Sequence, residues 1–304
     1  MYDVIILGGG PAGLTAGIYA ARAKASVLIL DEGMPGGQLI LTHEIANYPG
    51  VNEISGYQLA STMKQQAEKF GCQIKSNVHI TGIELNDKVK KVTVNEKETF
   101  ESKTVILAVG GKSRMLNVKG EVEFKGKGIS YCATCDGDFF QDKEIIVVGG
   151  GNSALEEADS LTKYASKVTI VHQFDHFQAF EHAVQTAKNN PKIDFIMEST
   201  ITEFHGDQKL EKVSIKNLKT EEVKEHNIGG VFIFIGYVPD TKKFEGLIEM
   251  NNYGEIVTNK KLQTNVLGVF AAGDCLEKPY RQVTTAVSDG TIAALAAMEY
   301  INEI

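Results

Sequence analysis

In "SYCATCDGDFF" two thiols, Cys132 and Cys135, stand three residues apart, and a carboxylate, Asp136, directly follows the second. That separation is about one helical turn, close enough for a short-loop disulfide. Thiol exchange needs a thiolate, a resolving thiol and a group that passes protons, and these three side chains supply all of them. A CxxC pair can also be half of a zinc site, but no second CxxC is present to complete the ligand set. Redox exchange is the better reading. The other cysteines, Cys72 and Cys275, have no partner nearby in sequence, which suits inert packing.

A second set of residues suits phosphate and sugar rather than sulfur. In Gly8-Gly9-Gly10-Pro11-Ala12-Gly13 the glycines permit a tight turn, close approach of backbone to a pyrophosphate and close packing of helix on strand. Asp31 closes the next apolar stretch, where a carboxylate accepts hydrogen bonds from ribose hydroxyls. Asp274 in "AAGDC" stands between an apolar strand and an Ala-rich helix. It suits either a polyol ligand or a helix N-cap.

These residues need βαβ units to position them. "DVIILGGGPAGLTAGIYAARAKASVLILDE" reads as strand, glycine turn, helix and strand, and "EIIVVGGGNSALEEADSLTKYASKVTIVH" repeats it, with Gly149, Gly151 and Ala154 in the places of Gly8, Gly10 and Gly13. Each copy is followed by a β-rich stretch ending in an apolar strand that runs into glycine, so the chain looks internally duplicated. The last segment, "TNVLGVFAAGDC" with "YRQVTTAVSDGTIAALAAMEY", carries no third glycine motif and is expected to complete the first domain. The fold class is α/β, two Rossmann-like (βαβ, three-layer) domains with the second inserted in the first. The boundaries fall at 1–116 plus 246–304 and at 117–245.

Composition agrees with two packed domains: 304 residues, 43% hydrophobic. A net charge of −8 argues against nonspecific nucleic-acid binding. No apolar run reaches the roughly 18 residues of a membrane span and no basic leader precedes the first strand, so a cytoplasmic location is expected.

Taken together, "GGGPAG", "GMPGGQL", "NYPG", "SYCATCDG", "GGGNSALEEA", "GVFAAGD" and "YRQVTTA" resemble the low-molecular-weight thioredoxin reductases of the flavoprotein disulfide reductase group, over essentially the whole chain. The resemblance implies FAD in the first domain, with Gly8, Gly10, Gly13, Asp31, Gly37, Gln38, Asn47, Asp274 and Gln282 at contact positions and Pro11, Ala12 and Arg281 within the matched motifs. It implies a homodimer and thioredoxin as partner. It also implies that Cys135 is the thiol beside the flavin, that Cys132 attacks the thioredoxin disulfide, and that Asp136 donates the proton.

One stretch departs from the family. Ordinary members end the second nucleotide unit with His-Arg-Arg-Asp-x-Phe-Arg-Ala, whose arginines grip the 2'-phosphate of NADPH. Here His172, Gln173, Phe174, Asp175, His176, Phe177, Gln178 and Ala179 occupy those positions, with no arginine among them. Each charge-assisted contact to phosphate is worth about 1.5 to 3 kcal/mol, so losing two costs roughly a hundredfold or more in affinity. An NADH site would ordinarily carry an acid at the position of His172. The sequence resembles the branch that lacks pyridine-nucleotide recognition and takes electrons from ferredoxin. An acidic ferredoxin calls for a locally basic surface, and Lys112, Arg114, Lys119, Lys125 and Lys127 precede the dithiol, although such a run also suits a solvated connector. The competing readings are an NADPH- or NADH-dependent thioredoxin reductase and a noncatalytic flavoprotein redox sensor.

Overall fold

The first strand owes its place to an uninterrupted apolar run, which only a sheet covered on both faces can bury. In the computed structural model, which describes residues 1–304 apart from His43, Glu44 and Ala46, that run, Val4–Leu7, is the buried part of β1 (Tyr2–Leu7). The chain divides into two compact units, Met1–Lys112 with Val238–Ile304, and Ser113–Tyr237. The first begins β1, α1 (Pro11–Arg22), β2 (Val27–Leu30), α2 (Gly56–Lys69) and β3 (Gln73–Lys75). A meander follows: β4 (Ile80–Glu84), β5 (Lys90–Val94) and the ten-residue β6 (Glu98–Leu107). In space the order is β3-β2-β1-β6-β5-β4.

β6 serves both parts of this sheet. Its first half pairs antiparallel with β5, Lys90 opposite Ser102, and its second half runs parallel to β1, Leu7 opposite Leu107. Alternate residues of β1 feed two cores. Val4 and Ile6 pack with Leu14, Ala16 and Ala293, whereas Ile5 and Leu7 pack with Leu85, Val92, Phe244 and Ile256.

The chain leaves this unit through β7 (Gly111–Ser113). The second unit holds β8 (Ile129–Ser130), α3 (Ala133–Asp136), β9 (Glu144–Val148), α4 (Asn152–Leu161), β10 (Lys167–Val171), α5 (Glu181–Asn189) and β11 (Ile193–Ile196). After these come an antiparallel meander, β12 (Ser199–Gly206), β13 (Leu210–Asn217) and β14 (Val223–Asn227), and then β15 (Gly230–Ile233). Its sheet, β11-β10-β9-β15-β8, is wholly parallel. Ile145 and Val147 face α4 and α5, while Ile146 and Val148 face the meander, which gives the three layers.

The return is β16 (Tyr237–Pro239), which pairs with β7. The crossings thus lie at Lys112/Ser113 and Tyr237/Val238, against 116/117 and 245/246 from the sequence. Glycine and charge spacing in those loops does not reveal that the two connecting segments pair with each other. The chain ends with β17 (Val269–Ala271), parallel to β6, and α6 (Val283–Glu303). α6 crosses α1 at close range: a Cβ on Gly290 would overlap the Ala12 carbonyl. No helix among the described residues is long and apolar enough to cross a membrane.

Candidate active site

The first glycine turn forms because β1 ends where only glycine fits. Gly8 has φ +104°, and a side chain there would run into the Ala108 backbone. Gly10 is different. Among the described residues, a Cβ on it would meet only the Gly37 Cα, at 3.9 Å, so the turn is open on the side where a pyrophosphate approaches. α1 follows with no side-chain cap, leaving its first amides to an anion. The Gly33–Gly37 loop lies alongside, Gly36 N–H donating to the Gly9 carbonyl at 2.7 Å. Asp31, at the end of β2, accepts from the Gly9 amide at 2.5 Å and from Gly33 at 2.7 Å. Its carboxylate therefore stands at the mouth of the turn, with lone pairs left for ribose.

Asp274 is brought to the same place. A Cβ on Gly273 would lie 2.9 Å from that of Ala12, so the "AAGDC" turn rests on the start of α1. The N-cap alternative fails, because α6 begins at Val283 and its N-cap is Gln282. Asp274 Oδ1 is buried and has no hydrogen-bond partner among the described residues. Burial pushes the carboxyl above the usual range, while Lys278 and Arg281 pull it down and Asp289 raises it. A buried carboxylate oxygen without a donor is costly, and a polyol hydroxyl would satisfy it. The open Gly10 turn and this orphaned oxygen fit a flavin dinucleotide. Of the remaining expected contacts, Gln282 donates its backbone N–H to Thr285 Oγ1 at 3.1 Å and Arg281 is ion-paired with Glu255. Gly37 and Gln38 are exposed at the start of a short 3-10 helix, Gly37–Leu41, and Asn47 is exposed beyond it.

The dithiol sits where β8 turns into α3. Cys132 and Cys135 are joined as a disulfide. Cys132 is the N-cap of α3, its sulfur accepting from the Cys135 amide at 3.2 Å. The turn is seated on α4: a Cβ on Gly137 would lie 3.0 Å from the Tyr164 ring and 3.2 Å from Leu161. Asp136 is held by Ser130 Oγ at 2.6 Å. Burial raises its carboxyl above the usual range, the Ser130 hydrogen bond opposes this, and Asp138 adds to it. A carboxyl in that balance gives and takes protons near the sulfurs.

In the second unit the nucleotide turn is built alike but read differently. Among the described residues, a Cβ on Gly151 would meet only the Gln178 carbonyl, at 3.9 Å, as open as Gly10. The equivalent of Asp31 is His172, whose ring fills the space over Gly150. Its Nε2 lies 3.1 Å from the His176 carbonyl, and burial pushes its pKa down. Phe177 stacks on it at 5.7 Å between centroids and Phe174 meets it edge-on at 5.4 Å. Gln178 N–H donates to the Gly150 carbonyl at 2.8 Å and Phe180 N–H to Asn152 Oδ1 at 2.7 Å, so the stretch folds back over the turn. His172 and His176 have HxxxH spacing, yet His176 Nδ1 is engaged by Asp175 at 2.7 Å. Of the basic run, Lys119 pairs with Glu203 at 2.5 Å, Lys125 lies over the Tyr131 ring, and Lys112 and Arg114 lie on or beside β7.

Two residues escaped the sequence reading. Ser130 is one; its position two residues before Cys132 at a strand end was the available signal. The other is Glu121, fully buried, which accepts from the amides of Leu116 and Asn117 at 2.9 and 2.6 Å and from Tyr131 Oη at 2.8 Å. It ties the entry of this unit to the residue before Cys132. Nothing in "VKGEVEFKG" marks that glutamate as interior.

The pyridine nucleotide-disulphide oxidoreductase family model matches residues 2–290. A thioredoxin reductase of Peptoclostridium acidaminophilum is 46% identical over 308 residues, covering 99% of this chain and 97% of that protein. One from Bacillus subtilis is 43% identical over 305 residues, covering 100% and 96%. The crystal structure of thioredoxin reductase from Streptococcus pyogenes superposes with a TM-score of 0.95 at 44% identity, covering 100% of this chain and 99% of that one. Reductases of this type are FAD flavoproteins, in accord with the open turn at Gly10 and the orphaned oxygen of Asp274. With an αβ fold, a duplicated glycine turn and a CxxC disulfide next to a partly buried carboxyl, this chain belongs to the low-molecular-weight thioredoxin reductase family of flavoprotein disulfide reductases.

Proposed function

We propose that this enzyme reduces thioredoxin through FAD and the Cys132–Cys135 dithiol and that its electron donor is reduced ferredoxin. The observation that carries the choice of donor is the ring of His172 over Gly150, followed by a stretch to Phe180 that contains no lysine or arginine. A 2'-phosphate there would meet imidazole, phenyl rings and the Asp175 carboxylate rather than a guanidinium fork. We also read the protein as a homodimer, as the family resemblance implies.

FAD, when bound, supplies the electron-transfer chemistry that side chains lack. Two electrons and two protons convert the Cys132–Cys135 disulfide to the dithiol. The Cys132 thiolate attacks a sulfur of the thioredoxin disulfide, forming a mixed disulfide and expelling a thioredoxin thiolate, which takes a proton. The Cys135 thiolate then attacks Cys132 Sγ, restores the enzyme disulfide and releases the second thioredoxin thiol. Asp136 holds and passes the protons these steps need. On this reading Cys135 is the thiol that meets the flavin.

A second reading, a nucleotide-driven reductase, is favoured by the open face of Gly151. Anaerobic flavin reduction with NADPH, NADH and reduced ferredoxin offered separately decides between them. Bleaching by ferredoxin with no response to micromolar nucleotide is expected. Rapid bleaching by NADPH would overturn the ferredoxin assignment, and a preference for NADH would establish the second reading. Thioredoxin turnover with any donor excludes a purely sensory flavoprotein.

A further inference from the structure

Ser130 is 4% exposed and ends β8, where its pairing with Phe232 of β15 fixes the backbone. Its Oγ accepts from the Cys132 amide at 3.0 Å. The same oxygen lies 2.6 Å from Asp136 Oδ2 and 3.3 Å from the Cys132 carbonyl. A hydroxyl has a single proton, and the short contact to a carboxylate is the stronger of the two. One buried hydroxyl thus reads the attacking cysteine's backbone on one side and orders the carboxyl on the other.

We propose that Ser130 is a positioning residue for thiol exchange, orienting the Asp136 carboxyl toward the exchanging sulfurs. The proposal rests on the reading of Asp136 as proton carrier. Without an anchor, a carboxyl on this short helix rotates about its side-chain bonds, and its proton is aimed at the sulfurs for only part of the time. The bond also favours the ionised carboxyl against the burial that opposes it, so its loss moves ionisation to higher pH. The charged group that acts on Asp136 is Asp138, and the acidic residues of the packed helix α4 are Glu156, Glu157 and Asp159. None of these is a cation that could replace the serine.

The test uses full-length, flavin-loaded enzyme reduced beforehand with dithionite and mixed with oxidised thioredoxin, so no biological donor enters. Single-turnover transfer is followed across pH for wild type, Ser130→Ala, Ser130→Thr and Asp136→Asn, each checked for wild-type flavin content and far-ultraviolet spectrum. Ser130→Ala is expected to slow transfer by about 10-fold, the scale of one charge-assisted hydrogen bond. It also shifts the pH profile upward, and Ser130→Thr restores both features. A Ser130→Ala profile that keeps the wild-type position, whatever its height, overturns the positioning role. If Asp136→Asn transfers at the wild-type rate, the proton-carrier reading has failed, and the positioning role falls with it.

Discussion

The imidazole of His172 occupies the space over Gly150, the position at which the first unit sets the carboxylate of Asp31 against Gly9. A methyl group on Gly150 would overlap the ring, which its bond to the His176 carbonyl holds in place. Gly150→Ala is therefore expected to destabilise the second unit by about 1 to 3 kcal/mol, the usual cost of overpacking. His172→Ala should remove most of that penalty. Urea midpoints in a double-mutant cycle measure the coupling, and an equal cost of Gly150→Ala in both backgrounds would mean that the ring lies elsewhere.

Restoring cations at the aligned positions should restore a nucleotide response. In the triple variant Gln173→Arg, Phe174→Arg and Gln178→Arg, NADPH affinity should rise by roughly a hundredfold or more, the value of two charge-assisted phosphate contacts. Titration of protein fluorescence with NADPH reads the gain. An unchanged affinity would place the obstacle in the packing of His172 on Phe177 rather than in missing charge.

Asp274 has a buried oxygen that no group among the described residues satisfies. Asp274→Asn should weaken FAD binding, seen as lower flavin content after gel filtration, while leaving the apoprotein as stable or more so. The pH dependence has a definite sign. Because the folded-state pKa is raised, the contribution of this group to apoprotein stability is fully present below its unfolded value of about 4 and is lost as pH rises through the folded value. Chemical denaturation of the apoprotein should show that loss in wild type and not in the variant.

Removing the resolving thiol should trap the exchange halfway. Cys135→Ser leaves Cys132 to attack thioredoxin with nothing to release it, so a covalent adduct should run on a non-reducing gel and vanish with dithiothreitol. Cys132→Ser should form no such adduct while its flavin still accepts electrons from the donor. An adduct through Cys135 alone would reverse the two roles.

The remaining thiols should stay silent. Burial pushes Cys72 up to about 11 and Cys275 up to about 12, and both are buried in the first unit. Native enzyme reduced and treated with iodoacetamide at neutral pH should gain adducts at Cys132 and Cys135 only, counted by mass spectrometry.

What the sequence made legible was local. The glycine turns, their strands and the dithiol follow from short-range spacing, because each element forms from residues within one βαβ unit. Asp274 was ambiguous, since whether α6 starts at that residue or at Val283 depends on the turn over Ala12, a contact across most of the chain. Glu121 and Ser130 were missed for the same reason: burial of a lone polar residue depends on what folds over it. The family resemblance supplied Gln38 and Asn47, which no pattern of spacing would have singled out.

Gly290 sets the timetable of biogenesis. The second unit is one continuous stretch, Ser113–Tyr237, and is synthesised before the Val238–Ile304 part of the first unit. The first unit must wait for β17 to join β6 and for α6 to settle on Ala12 through Gly290, all of which lie after the second unit in the chain. Domains fold as units while the chain emerges at about 5–20 residues per second, so the dithiol unit is assembled before the flavin cradle can close. A nascent chain stalled or clipped before Gly290 would carry a finished thiol-exchange module with no place to load its cofactor.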